Sequence, residues 1–312
     1  MYFSKQFLLI LIISLFIACP SEAIVIPKDT SYTSYQTYQK IRKKYPIIQL
    51  LEPLNDTNLQ NYEQLVYKTV NNETGDRLLH LDIFRPKNKN NYPALIMIHG
   101  GGWRSGDKSM EKPMAQQIAL NGYVTIPVEY RLSLEAKYPA AIHDIKAAIR
   151  WIKDNAGKYG IDTTKIAIEG ESAGGQLATL VAMTDSTYTI KAVIDVDGVV
   201  DFLAPNSLNT PQKPDSPGAF WLGGVFEDKP LNWKNASAIY YINKKSPPVL
   251  FIASAQPRFH AGRDEMIDIL NQNGIYYESY SIPDTPHSFW LFEPWAKPTK
   301  EYILKFLNKI LK

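Results

Sequence analysis

A chain of 312 residues with 45% hydrophobic content holds enough apolar material for one large core, and its 17 glycines and 21 prolines are ordinary globular usage. Thirty-four basic residues against 31 acidic ones give a net charge of +3 with no long single-sign run, which excludes a basic footprint for nucleic acid. The single cysteine, Cys19, lies ahead of the expected folded domain, so disulfides, thiolate metal sites and a cysteine nucleophile are excluded from that domain.

At the N-terminus, Lys5 is followed by the apolar run Phe7 to Ala18 and then by small and polar residues, the three-part layout of a secretory signal. The run is too short to span a bilayer as a mature helix. Small residues at Ser21 and Ala23 predict cleavage after Ala23, so the expected location is secreted or periplasmic. The alternative is a lipid-anchored surface protein, because Phe16-Ile-Ala-Cys19 resembles a bacterial lipoprotein box. Asn55, Asn72 and Asn235 begin triplets that match glycosylation acceptors.

Residues 24–62, rich in Tyr, Gln and Lys with weak periodicity, predict an arm packed on a single α/β domain spanning 63–312. Leu65 to Tyr67 and Leu79 to Phe84 read as early strands, followed by apolar runs at Ala94 to Ile98 and Val124 to Val128. Ile142, Ile145, Ala148, Ile149 and Ile152 recur at helical spacing within Ala140 to Lys158. Further strands are expected at Lys165 to Glu169, Ala192 to Val196, Val249 to Ala253 and Tyr276 to Ile282, with helices at Gly175 to Ala182 and Glu265 to Asn271. This alternation predicts a mostly parallel sheet covered on both faces, with a site beyond the carboxyl ends of the strands. Between Phe202 and Ser246 the pattern breaks into Pro, Asn, Ser and Trp, which predicts a lid-like insertion at about 202–246.

Two segments carry chemistry. KIAIEGESAGGQLATL reads as strand, then Gly170-Glu171-Ser172-Ala173-Gly174, then helix, the context a nucleophile elbow requires. IMIHGGGWRSG sets Gly100, Gly101 and Gly102 directly after a strand, where bare amides suit a tetrahedral intermediate. Gly101, Gly102 and Ala173 are the expected oxyanion donors, with His99 fixing the loop. The loop lacks a P-loop or dinucleotide spacing.

HGGGW and GESAGG, in this order and on these strands, resemble the α/β-hydrolase superfamily, in particular its secreted esterase and lipase branch of carboxylesterases and polysaccharide-deacylating enzymes. Glu129-Tyr130-Arg131-Leu132, Tyr138-Pro139-Ala140 with Asp144, and Pro247-Pro248-Val249-Leu250 extend the similarity over about Tyr67 to Leu311. The resemblance implies the α/β-hydrolase fold, ester hydrolysis through an acyl-serine without metal or cofactor, and a histidine base on a late loop. His80 and His143 fall in a predicted strand and helix, and His260 lies too close to the preceding strand. His287 follows the final strand and takes the role.

The acid is less plainly marked. The family position falls at Ala255 to Pro257, in FIASAQPRFHAGRDE, where no carboxylate stands. Asp197, at the end of the neighbouring strand, is the preferred replacement, similar to lipases that carry the acid there. Asp264 is the runner-up, with Glu171 and Asp284 more distant. Asp195 points to the other sheet face by alternation, and Asp201 matches a structural position.

Phe220, Trp221, Trp233, Tyr240, Tyr241, Phe289, Phe292 and Trp295, with Trp103 and Trp290 as candidate substrate contacts, suggest platforms for sugar rings or packing of the lid. The expected substrate is an acylated carbohydrate, with acetyl ahead of feruloyl or methyl esters. A small-molecule ester is the alternative, and a non-catalytic binding protein on the same fold is the reading that a missing acid would support.

Overall fold

The computed structural model describes residues 29–72, 75–88, 90–208 and 213–312. The expected signal segment, its cleavage point after Ala23 and Cys19 lie outside the described residues.

Among the described residues, eight strands form one sheet. In chain order they are β2 (Leu59–Asn72), β3 (Gly75–Pro86), β4 (Tyr92–Ile98), β5 (Val124–Val128), β6 (Ile161–Glu171), β7 (Ile190–Val196), β8 (Val249–Ala253) and β9 (Tyr277–Ser281). Their spatial order is β2-β3-β5-β4-β6-β7-β8-β9. β2, β3 and β5 pair antiparallel, and every pair from β5 to β9 is parallel. A short β1 (Gln49–Leu50) pairs with β10 (Phe292–Glu293) beside the main sheet.

The parallel strands are apolar almost throughout because both faces are covered. On β4, Ile96 and Ile98 face one layer while Leu95 and Met97 face the other, as strand alternation requires. The first layer contains α3 (Ala140–Asp154), α4 (Ala156–Tyr159), α5 (Ala173–Met183) and α9 (Arg263–Gln272). The second contains α2 (Lys112–Ala119) and α10 (Ala296–Leu311), anchored by Met114, Ile118, Ile303 and Phe306. Among the described residues, no helix is long and apolar enough to cross a membrane.

The arm enters as α1 (Ser34–Ile41), whose first turn is capped by Thr33 Oγ1 accepting from the Gln36 amide at 3.1 Å. Ile48 is buried behind it, and Tyr32, Tyr38 and Ile41 pack on the second layer. After β7, α6 (Pro205–Leu208), α7 (Pro217–Leu222) and α8 (Pro230–Asn235) cross the carboxyl edge, with Trp221 and Trp233 fully buried beneath them.

Some boundaries differ from those the sequence predicts. β2 runs well beyond Leu65 to Tyr67, because bulges after Tyr62 and Val66 break the two-residue period of this edge strand. The helix expected over Ala140 to Lys158 ends at Asp154, and α4 closes at Gly160 in the left-handed conformation.

Candidate active site

Ser172 sits between β6 and α5 with φ of 55°, a conformation costly for a residue with a side chain. The turn is over-determined: the Ser172 amide donates to Val196 O at 2.8 Å, and its carbonyl accepts from the Gln176 amide at 3.1 Å. Gly174 is needed by close approach, since a Cβ there would lie 1.8 Å from the Ile98 carbonyl oxygen. The elbow thereby lifts Ser172 off the sheet at the amino end of an eleven-residue helix.

His287, on the loop after β9, places Nε2 2.8 Å from Ser172 Oγ and Nδ1 2.8 Å from Asp197 Oδ2. Asp197 leaves the end of β7 with φ of 56°. Its amide donates to Ile252 O at 2.9 Å, and its Oδ1 accepts from the Ser254 amide at 2.9 Å. One carboxylate oxygen is thus fixed by the backbone while the other meets the imidazole. Burial holds the His287 pKa below its ordinary value; the hydrogen bond and charge of Asp197 oppose this, and Arg258 adds to it.

The other candidate acids lie elsewhere. Asp264 is exposed and paired with Arg263 at 2.9 Å. Asp195 is buried on the opposite side of the strand, accepting from Thr179 Oγ1 and the Gly198 amide. Asp284 is exposed, and Asp201 accepts from the Leu203 amide. Of the remaining histidines, His80 pairs with Glu129 at 3.2 Å, His143 is exposed, and His260 stays in the loop after β8.

The glycine loop lies against the serine. A Cβ on Gly100 would come within 3.3 Å of Ser172 Cβ and 2.9 Å of Glu171 O, so only glycine permits this approach. The carbonyl of Gly101 is held by the Ser105 amide and hydroxyl, both at 3.0 Å. His99 is buried, stacked on Tyr130 at 4.4 Å, and its carbonyl accepts from the Tyr130 hydroxyl at 2.9 Å. Tyr130 is held in turn by its neighbours: Arg131 forks onto buried Asp144, and Glu129 pairs with Arg77. Ala173 opens α5, where the first amides have no intrahelical acceptor.

With this geometry defined, known proteins were compared. The BD-FAE family profile matches residues 81–269, more than half of the chain. The chain belongs to the BD-FAE family. Among curated relatives, the esterase LipC of Mycobacterium tuberculosis is 27% identical over 74% of this chain and 62% of its own length. An arylesterase of Saccharolobus solfataricus is 33% identical over 58% of each chain. The BD-FAE chain therefore spans about three-fifths of the length of these two relatives. A solved structure described as a truncated carbohydrate esterase from gut microbiota superposes with a TM-score of 0.71 at 25% identity, covering 82% of this chain and 98% of that one. The fold is that of the α/β-hydrolase esterases.

The BD-FAE chain departs from the sequence expectation at the two candidate tryptophans. Trp103 is 8% exposed, stacked on Trp221 at 5.0 Å, and donates through Nε1 to Gln176 Oε1 at 2.9 Å. Trp290 is 4% exposed, with its ring edge-on to His287 at 5.3 Å. Neither presents a face on which a sugar ring can stack. Trp103 instead ties the glycine loop to the lid, and Trp290 walls the histidine, because large aromatic surface at these positions gains more from burial than from water. The ring that does cover the site is Phe259, stacked on His287 at 3.4 Å and 7°. Its only sequence signal is an aromatic residue in the segment that lacks the family acid.

Among the described residues, one group of three or more side chains is arranged to hold a metal ion: Glu111, Glu169 and Glu171, with donor oxygens within 4.8 Å of one another. All three are buried. Burial raises the pKa of each, Glu111 to about 7, with mutual repulsion adding to Glu169 and Glu171. Carboxylates this close and this dry share protons rather than stand as three anions.

Proposed function

We propose that this protein is a serine esterase that hydrolyses carboxylic esters through an acyl-enzyme and, more specifically, is an exported enzyme that removes acetyl groups from carbohydrate. The observation that carries the reading is the row from Ser172 Oγ through His287 to Asp197, with both links at 2.8 Å. Neutral His287 takes the Ser172 proton on Nε2 as Oγ attacks the ester carbonyl carbon. The carbonyl oxygen becomes an oxyanion, which we assign to the amides of Gly101, Gly102 and Ala173. One such donor is worth about 3–4 kcal/mol of barrier. Asp197 stabilises the imidazolium, which returns its proton to the leaving alcohol oxygen as the C–O bond breaks. Water, deprotonated by His287, then attacks the acyl-serine, releasing the carboxylic acid and restoring Ser172.

Carbohydrate as substrate is supported by the likeness to the gut carbohydrate esterase, which extends over nearly all of that chain. Export is supported by Lys5 followed by the apolar run Phe7 to Ala18. The non-catalytic reading rests on a missing acid; what supports the catalytic reading instead is the Asp197 carboxylate 2.8 Å from His287 Nδ1. The test is release of acetate, methanol and ferulate from esterified xylan and pectin, with Ser172→Ala as control and fluorophosphonate labelling of Ser172 alongside. Serine-dependent acetate release supports the whole proposal. Cleavage of short synthetic esters alone moves it to a small-molecule carboxylesterase, and an unlabelled serine refutes it.

A further inference from the structure

A cavity of about 370 Å³ opens beside the catalytic histidine, between the arm and the loop after β8. Gln36 and Lys40 of α1 face Gln256, Arg258 and Phe259 across it, and His287 forms part of its wall. Its lining decides what it accepts: serine, threonine and glutamine side chains stand beside apolar Ile41, Phe259 and Pro286, and among the described residues its only charged side chains other than the histidine are cations. Among the described residues, no carboxylate lines it. Neither Lys40 nor Arg258 has an acidic partner among the described ion pairs, and Arg258 instead rests over the Phe259 ring at 4.2 Å.

The position of the cavity assigns it to one side of the reaction. It touches the site through His287 and Ser288, whereas Ser172, Gly101, Gly102 and Ala173 are absent from its wall. The imidazolium delivers its proton to the leaving alcohol, so a cavity on the histidine side receives the alcohol and not the acyl group. Given the ester-cleaving site proposed above, we infer that this cavity is a subsite for leaving alcohols that bear a carboxylate, with Lys40 and Arg258 as the specificity-determining residues. The substrate class is an acetyl ester on a uronate-containing carbohydrate. The planar guanidinium of Arg258 suits a carboxylate fork, and Lys40 adds a point charge from the arm.

The two cations are solvent-accessible, so each contributes the modest attraction of a surface pair, and together they favour the anionic substrate by about fivefold to tenfold at low salt. The experiment uses the enzyme on two matched substrates, an O-acetylated methyl glucuronoside and its neutral C6 carboxamide, reading acetate release as kcat/KM. The expected ratio of anionic to neutral substrate is about five or more at low ionic strength, carried in KM, and it shrinks toward one in 0.5 M salt as screening shortens to a few ångströms. Lys40→Gln with Arg258→Gln brings the low-salt ratio toward one, and Arg258→Lys alone retains part of it. A wild-type ratio at or below one, or a ratio unmoved by the double variant, overturns the subsite, as does failure to cleave either sugar ester while p-nitrophenyl acetate is hydrolysed. Failure on p-nitrophenyl acetate itself refutes the esterase reading instead.

Discussion

Replacing Asp197 with Asn tests the triad with almost no change in shape, and the structure dictates which way the new amide turns. Oδ1 of Asp197 accepts from the Ser254 amide at 2.9 Å, so the Asn carbonyl must take that place. Its NH2 group then faces His287 Nδ1, where the carboxylate oxygen now stands at 2.8 Å. An NH2 donor forces Nδ1 to accept, which leaves the imidazole proton on Nε2, pointing at Ser172 Oγ. A histidine in that tautomer cannot take the serine proton. The expected loss in kcat is about 10⁴-fold, equivalent to about 5.5 kcal/mol of barrier. Initial rates on p-nitrophenyl acetate, with circular dichroism and thermal melting to show the variant folded, measure it. Turnover within tenfold of wild type in a folded Asp197→Asn protein would refute the assignment of Asp197 as the orienting acid.

Burial keeps His287 below its ordinary pKa of 6.5, so the base is neutral and competent at lower pH than a free imidazole; kcat/KM should rise through an apparent pKa below 6.5 and be flat by pH 7.5, and a limb centred above 7 contradicts this. Glu111 is raised from 4.5 to about 7, so between those values the folded state binds more protons than the unfolded chain and stability falls as pH rises; Glu111→Gln should raise the melting temperature at pH 8 and flatten its decline between pH 5 and 8. Gly174→Ala places a Cβ 1.8 Å from the Ile98 carbonyl and should yield insoluble or inactive protein, whereas Gly157→Ala, with open space around its Cβ, should leave solubility and activity within twofold of wild type. Trp221→Ala empties a fully buried position among Trp103, Phe202 and Tyr138 and should cost about 3–5 kcal/mol in denaturant unfolding, with the loss in activity exceeding that of a distant surface variant because Trp103 follows the glycine loop.

The central sheet was legible because its strands are short apolar runs bounded by glycine and polar turns. β8, at Val249 to Ala253, has the bounds its sequence predicts. β2 was not, because an edge strand with two bulges has no clean period for the sequence to display. Ser172 and the glycine loop were visible through glycine spacing set directly after apolar strands, since the sharp turn and the close approach each need glycines at fixed offsets. The aromatic residues show the limit. Sequence lists a tryptophan without saying whether its ring faces water, and here Trp103, Trp221, Trp233 and Trp290 are buried while Phe259 covers the histidine. The glutamate trio was equally hidden, because its members are brought together from α2's approach and β6 by packing and not by any spacing.

The place of the acid has a consequence for the loop that lacks it. β7 and β8 are adjacent and parallel, with Val196 opposite Ile252, so a carboxylate one residue past β7 reaches the same imidazole that a carboxylate past β8 would reach. What β8 still supplies is backbone: Ile252 O accepts from the Asp197 amide, and the Ser254 amide fixes Oδ1. Orientation of the acid is thereby delegated to main-chain groups that no side-chain substitution at 254 removes, apart from proline, which lacks the N–H. The residues beyond Ser254 are released from holding a carboxylate and instead lay Phe259 on the histidine and set Arg258 at the cavity wall. A single shift of one charge by one strand thus separates two duties, with β7 tuning the base and the loop after β8 facing the alcohol. The separation predicts distinct kinetic signatures: changes at Asp197 fall on kcat for every ester, while changes at Arg258 fall on KM and only for substrates that carry a charge.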